Sequence, residues 1–480
     1  MTDVERVKAL VDEKFDAAVQ LARDIWSYAE LSYEEHRSAK ALIDALAQEG
    51  FCVEQGVAGM PTCFVATFKN GEGGPVVGLL GEYDALDGLS QQAACPQKSP
   101  IEKGAPGHGC GHNLLGAGCW SAAVALKDLL VRENRAGTVI YFGCPAEEGA
   151  GSKQFMARAG CFDGVDFCVT WHPSTFNEVS TCSTLAIMGA NFTFDGVASH
   201  AGSSPHLGRS ALDAAELMNV GVNYLREHVI DAARIHYAYS SAGGTAPNVV
   251  QDHVVIKYEV RAPKVAQMRE LFARVVKVAQ GAALMTETSM RCDVTMAFSD
   301  YLPSVALAPF LDQALRDIGA PSWNEQDYAL AAAFLHTYDE ATRGDIRDNL
   351  AARFPDRDTA ALMDRPLHDD ILPFDPKNTG CQPGSTDVGD VSYAVPTIEL
   401  HTATACLGNV GHSWQNTAFS CSSIGEKGMH TAAQVLALAC LRIMDAPEVI
   451  EKARAELHKK NGGKYTCPLP DDVTPPIGRY

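Results

Sequence analysis

At 480 residues the chain is too long for one ordinary hydrophobic core, so two domains, or one domain carrying an insertion, are expected. Its 46% hydrophobic and 20% charged composition is that of a soluble globular protein. A formal net charge of −20 argues against nucleic acid or an anionic membrane surface as partner, since both need a basic footprint. No apolar run of the roughly 18 residues needed to span a bilayer is apparent, and the start, MTDVERVKALVDEKFDAA, lacks a signal-peptide stretch. The fifteen cysteines are scattered, which disfavours a disulfide framework, and a cytoplasmic location is expected. Cys52, Cys168 and Cys440 sit in apolar contexts and read as small core residues, whereas Cys110 has His and Gly neighbours.

The first 50 residues read as two amphipathic helices, the second closed by Gly50. Short β-rich runs follow at 63–68, 75–81, 138–143 and 166–171, and the last three are nearly continuous in apolar residues. That pattern predicts strands buried on both faces of a largely parallel sheet. The segment 114–134 between them predicts a helix, so the organisation is α/β with right-handed crossovers. From about residue 185 the rhythm changes to strand, helix (209–229), strands at 234–240 and 253–262, helix (265–283) and strand (290–299). This β-α-β-β-α-β order predicts a ferredoxin-like unit inserted over about 187–300. It divides a catalytic domain into a first part, 1–186, and a second part, 301–480, with a strand at 395–403 and a helix at 425–445. The proline-containing tail from Gly462 reads as extended.

Four polar clusters are placed just after predicted strands or before a helix: Glu82 with Asp84, GHGCGHN (107–113), Glu147 with Glu148, and His172. In open parallel sheets, sites form beyond the carboxyl ends of the strands, so these clusters are expected to converge. Cys110 and His112 flank one glycine, a spacing that can set a thiolate and an imidazole on one metal; alone it equally fits a glycine-rich loop. With Glu148, His172 and a late GHSW (411–414) containing His412, the metal reading prevails, and the donor set suits zinc, manganese or cobalt. If Glu147 and Glu148 alternate along a strand, one binds metal while the other faces substrate. A metal acidifies water and a nearby carboxylate takes the proton as that water attacks. On their own, His200 and His206 read as exposed turn residues, and His108, Asp195 and Arg209 as structural or supporting ones.

These motifs resemble the M20 metallopeptidase family, in its aminoacylase and carboxypeptidase-like amidohydrolase branch. The His-x-Cys-Gly-His signature matches His108, Cys110, Gly111 and His112; the paired glutamates match Glu147 and Glu148. The later histidines match His172 and His412, and Ser-His-Ala-Gly matches Ser199 to Gly202, so the likeness covers essentially the whole chain. GEYDALDGLSQ (81–91), GTAPNVVQD (244–252) and GSTDVGDVS (384–392) look like one subgroup's versions of the motifs. The resemblance implies a zinc-peptidase-like catalytic domain and a lid that also mediates dimerisation. It implies two divalent ions, Mn2+ or Zn2+, held by Cys110, His112, Glu148, His172 and His412, with Glu147 as general base. It further implies that His200 reaches a neighbouring subunit's site to stabilise the oxyanion, and that Asn248 and Arg261 hold a substrate carboxylate. The implied reaction is hydrolysis of an amide between an aromatic acyl group and an amino acid, glutamate first. Other N-acyl amino acids, auxin-type conjugates or dipeptides are alternatives, as is a non-catalytic partner role. The implied assembly is a homodimer or a heteromer with a paralogous chain. Asn113 departs from the Asp of many branch members, and the charged stretch 321–370 exceeds the family core.

Overall fold

The computed structural model describes residues 1–378 and 380–478. Two sheets organise it. The larger has seven strands in the spatial order Cys52–Gln55, Phe64–Asn70, Gly137–Cys144, Val76–Glu82, Phe167–Ser174, Thr397–Ala403 and Glu178–Val179. The four from Gly137–Cys144 to Thr397–Ala403 run parallel, and antiparallel strands flank them on both sides. Apolar residues divide by the period of two that a pleated strand imposes. Val77, Leu79, Val139, Tyr141, Val169 and Trp171 enter one core, while Leu80, Phe142, Cys144 and Cys168 enter another on the opposite face.

The first core is capped by helices His112–Arg132 and Ser423–Met444. His112–Arg132 is, by length and composition, apolar enough to cross a membrane, contrary to the sequence expectation. Gly, Ala and Ser interleave its Leu and Val residues and hide the apolar run, nearly all of which is buried within the fold. Buried all round, it is a core helix packed against strands and helices on every side.

The second core continues into a four-stranded antiparallel sheet, ordered Ser289–Phe298, Ala186–Asp195, His253–Ala262, Arg234–Ser241. Helices Ala211–Leu225 and Val265–Thr286 connect its strands and pack closely on each other, so that a Cβ on Gly221 would lie 2.6 Å from the Val278 side chain. The chain then returns to the larger sheet with Thr397–Ala403.

Several local expectations are corrected. The first 50 residues form three helices, Asp3–Glu13, Phe15–Tyr28 and His36–Gln48, because the backbone breaks at Lys14 between the first two. Cys52 is exposed, since it lies on an edge strand; Cys168 and Cys440 are buried. The charged stretch 321–370 carries three helices, Glu325–Leu335, Glu340–Arg353 and Thr359–Asp364. No cysteine among the described residues forms a disulfide.

Candidate metal centre

The carboxyl ends of the parallel strands bring the polar clusters together. Val76–Glu82 ends on Glu82, with Asp84 two residues on; Gly137–Cys144 leads into Glu147 and Glu148; Phe167–Ser174 carries His172. Cys110 occupies the loop before helix His112–Arg132, and His412 the loop after Thr397–Ala403. That first loop must come very close to His172's strand. Gly111, with a φ of +84°, permits it: a Cβ there would lie 3.0 Å from the Pro173 ring. The loops are also joined directly, because the His412 backbone amide and the Asn416 side-chain amide both donate to the Gly109 carbonyl, at 3.1 and 2.6 Å.

Two sets of potential ligand atoms result, each mutually within 4.8 Å: Cys110, His112 and His172, and Cys110, Glu148 and His412. Cys110 belongs to both. Its Sγ lies 3.5 Å from His172 Nε2, while Glu148 Oε1 lies 3.3 Å from His412 Nε2 and 4.0 Å from His112 Nε2. A third set, Glu82, His112 and Glu147, shares His112, but Glu82 already receives the Lys153 ammonium at 2.6 Å.

Supporting hydrogen bonds orient the imidazoles. His112 Nδ1 lies 2.7 Å from Asp84 Oδ1, and His172 Nδ1 lies 2.8 Å from the Pro173 carbonyl. With Nδ1–H donating in each case, both Nε2 lone pairs turn toward the cluster, the arrangement that outer partners impose on metal-binding histidines. Asp84 also accepts from the Glu148 amide at 2.9 Å and from Ser32 at 3.3 Å, so one carboxylate sets two candidate ligands.

The residues fit a cation. His112 Nε2 and Glu148 Oε1 are buried without a hydrogen-bond partner among the described residues, which is costly unless something else satisfies them. Burial pushes the Cys110 thiol well up, with the Glu148 charge adding to the effect, so its thiolate needs positive charge beside it. A thiolate, imidazoles and a carboxylate make a donor set suited to zinc or a neighbouring transition metal.

Glu147 and Glu148 are not strand neighbours with opposite facings, as the sequence suggested. They lie in the turn beyond Cys144, after Ala146 in the left-handed region (φ +62°), and both carboxylates reach the vicinity of His112. Their environments separate them. Burial, reinforced by the charges of Glu82 and Glu148, raises Glu147 well above the usual carboxylate range. Burial acts the same way on Glu148, but the His412 imidazole 3.3 Å away and the charge of His112 outweigh it and hold Glu148 low. Two adjacent carboxyls of opposite proton affinity can serve as a proton carrier and an ionised ligand.

The other residues read from sequence belong to neither ligand set. His200 is exposed in the loop after Ala186–Asp195, its Nδ1 accepting from the amides of Gly202 and Ser203 at 3.1 and 3.0 Å. Asn248 is exposed beside it; its carbonyl accepts from the Ala201 amide at 2.9 Å, and Val249 pairs with His200. Arg261, on His253–Ala262, bonds Glu259 at 3.1 Å. No hydrogen bond or ion pair among the described residues joins these three to the cluster. His108 is buried against the Ile25 carbonyl, at 3.0 Å, and Asn113 ties its helix to the carbonyls of Ala22 and Ser420, at 3.1 and 2.9 Å.

Sequence reasoning missed the buried scaffold behind the glutamates. Lys153, fully buried, bridges Glu82 at 2.6 Å and Asp387 at 2.5 Å, and Asp387 also accepts from the amides of Ser152 and Lys153. Glu35 accepts from the amides of Tyr33 at 2.8 Å and Ala146 at 2.9 Å and from Thr62 at 3.0 Å, which pins the turn that presents Glu147. GSTDVGDVS contained a visible sign of Asp387; nothing in SYEEH singled out Glu35.

Residues 78–442 match the peptidase family M20/M25/M40, and the chain belongs to that family. It is a metal-binding hydrolase of the peptidase and amidohydrolase type. Among individual relatives, two are the differently named subunits of one enzyme, the p-aminobenzoyl-glutamate hydrolase of Escherichia coli (strain K12). The chain is 40% identical to one of them over 480 residues, covering 98% of this chain and 99% of that one. To the other it is 28% identical over 300 residues, covering 58% of this chain and 67% of that one. Two solved structures share the fold. One is an aminobenzoyl-glutamate utilization protein from Klebsiella pneumoniae: TM-score 0.60, 20% identity, 90% of this chain and 97% of that one. The other is a dinuclear metal-binding M20 peptidase from Bacillus subtilis: TM-score 0.56, 16% identity, 90% and 99% coverage.

Proposed function

We propose that the chain hydrolyses the amide joining an aromatic acyl group to glutamate, with p-aminobenzoyl-glutamate as substrate. The chemistry rests on one observation: a thiol, Cys110, common to two ligand sets, with the high-affinity carboxyl of Glu147 beside them. The substrate is taken from the name of the 40%-identical Escherichia coli relative. Two divalent ions, Mn2+ or Zn2+, would be held by Cys110, His112 and His172 on one side and by Cys110, Glu148 and His412 on the other. When bound they supply Lewis-acid polarisation of the amide carbonyl and acidification of water. Glu147 takes the water's proton and returns it to the departing amine, a general acid–base role worth about 10²- to 10⁴-fold in rate.

The remaining assignments concern the inserted unit. In this reading residues 187–300 form a ferredoxin-like lid and dimerisation domain between catalytic segments 1–186 and 301–480. His200 donates to the oxyanion in a neighbouring protomer, and Asn248 and Arg261 hold the glutamate carboxylate. The exposure of His200 and Asn248, in adjoining loops with no hydrogen bond to their own cluster among the described residues, supports an action across protomers. The neighbour is a second copy or a paralogous chain, since the Escherichia coli hydrolase has two differently named subunits, both similar to this chain. The cytoplasm is the compartment this reading assigns.

The test is to assay the purified chain on p-aminobenzoyl-glutamate after chelation and after reloading with Mn2+ or Zn2+. Release of p-aminobenzoate should vanish on chelation and return with metal. Amide hydrolysis that persists in chelated, metal-free protein would refute the reading.

A further inference from the structure

The helix Glu340–Arg353, within the charged stretch 321–370, stands against the loop that carries His412 and the turn that follows the strand of His172. Ile346 packs on Gly408, whose φ is +75° and where a Cβ would lie only 2.3 Å from the Ile346 side chain. The loop from Gly408 to His412 is therefore held close to this helix, and the Tyr338 hydroxyl adds bonds to Asn409 and to the Val410 amide at 3.1 and 3.0 Å. Between helix and loops lies a cleft of about 640 Å³. Val410, two residues along the chain from His412, and Phe176, four residues from His172, line its loop side. Ile346 and Leu350, both buried, supply an apolar floor, and Asp345 and Asn349 a polar, exposed edge.

From this placement we infer that the cleft receives the acyl half of the amide substrate, an aryl ring with a polar substituent. The inference rests on the amide-hydrolase reading above and adds the surface that selects the acyl group. Phe176 is fixed for the purpose. The Arg353 guanidinium covers one of its faces at 3.9 Å while pairing with Glu178 at 3.0 Å, and the rings of Phe354 and His368 stand 5.9 and 5.5 Å away. A ring so held offers a stacking or edge contact without losing much side-chain freedom on binding. Asp345 and Asn349 make no side-chain hydrogen bond among the described residues, so they are free to accept from or donate to a substituent such as an arylamine. The volume falls within the roughly 300–1,000 Å³ of pockets that enclose sizeable organic ligands, more than a single ring requires. Substituted aroyl groups should therefore be favoured over small acyl groups.

Two variants on the exposed edge, Asn349→Trp and Asp345→Trp, fill the cleft without touching a candidate ligand. On metal-loaded full-length protein, kcat/KM is compared for p-aminobenzoyl-glutamate, hexanoyl-glutamate and acetyl-glutamate. Each variant should lose about tenfold or more on the two bulky amides, within the range one misfit group produces in a pocket, and less than about twofold on acetyl-glutamate. Equal losses on all three substrates, or none on any, would overturn the inference. A wild-type chain that cleaves hexanoyl- and acetyl- but not p-aminobenzoyl-glutamate refutes the proposed substrate alone; the hexanoyl-to-acetyl ratio in the variants then still decides the cleft. A chain that cleaves none of the three refutes both.

Discussion

The two sheets carry their candidate functional residues in opposite ways. Around the larger sheet, His112, Glu82, Asp84, Lys153 and Asp387 are buried, and outer hydrogen bonds fix the rings and carboxylates before any ligand arrives. On the four-stranded unit, His200 and Asn248 are exposed, and their hydrogen bonds organise their own loops. The first region is preorganised, which is where electrostatic catalysis gains most. The second is ordered only within its own loops, so under the proposed reading its groups would act once closure or another chain brought a site to them.

The sharpest way to break this comparison is Glu147→Ala. It should lower kcat by at least about 10²- to 10⁴-fold while metal content, measured by elemental analysis, stays unchanged. Near wild-type turnover would remove Glu147 from the base role. Next, His200→Ala should cost about 100- to 1000-fold, the usual effect of losing one oxyanion donor. Mixing it with Glu147→Ala protein should restore roughly a quarter of wild-type activity if a C2 dimer forms at random and His200 serves the partner's site. No recovery in mixtures whose protomers demonstrably exchange would return His200 to a structural role.

A smaller effect, on stability, tests the buried scaffold. Asp387→Ala leaves Lys153 with one of its two carboxylates gone, and removing a partner from a buried ion pair costs about 3–5 kcal/mol. Denaturant titration should show the loss, and a stability within error of wild type would mean the pair contributes little. The last prediction concerns Glu35. Burial, with the Asp84 charge adding to it, pulls its pKa up from 4.5 to about 8 against the hydrogen bonds it accepts. Between those values the folded chain holds a proton that the unfolded chain has released, so this group's contribution to stability falls as pH rises from 4.5 to about 8. Glu35→Gln should flatten that slope in unfolding measured at about pH 5, 6.5 and 8, values that bracket this window; an unchanged slope would show that the group does not set it.

What could be read in the sequence follows from where each interaction closes. The parallel strands announced themselves as apolar runs because both their faces are buried, and Cys110 and His112 stood out because three consecutive residues contain them. The long helix at 112–132 was legible as a helix but not as an apolar span, since its small residues dilute the signal. The scaffold was hidden for another reason. Lys153 meets Glu82 across 71 residues and Asp387 across 234, and Glu35 meets the Ala146 amide across 111. Such pairings have no local period, so only the folded chain displays them. The facing of Glu147 and Glu148 was misjudged because the strand ends at Cys144, before either glutamate, so the alternation argument does not apply to them.

That Cys110 sits in both ligand sets has a thermodynamic consequence. Two separate sites would fill independently, with a two-step isotherm whose halves could be titrated apart. Sites that share a corner would be linked: Cys110 would be the thiolate held ready for a second ion by a first, which would also set a positive charge beside it. Loading then reports a coupling free energy, equal in either order of addition. Cys110→Ser, which keeps the size but replaces a soft thiolate with a hard hydroxyl, would alter that coupling, whereas replacing His172 or His412 would mainly weaken one side.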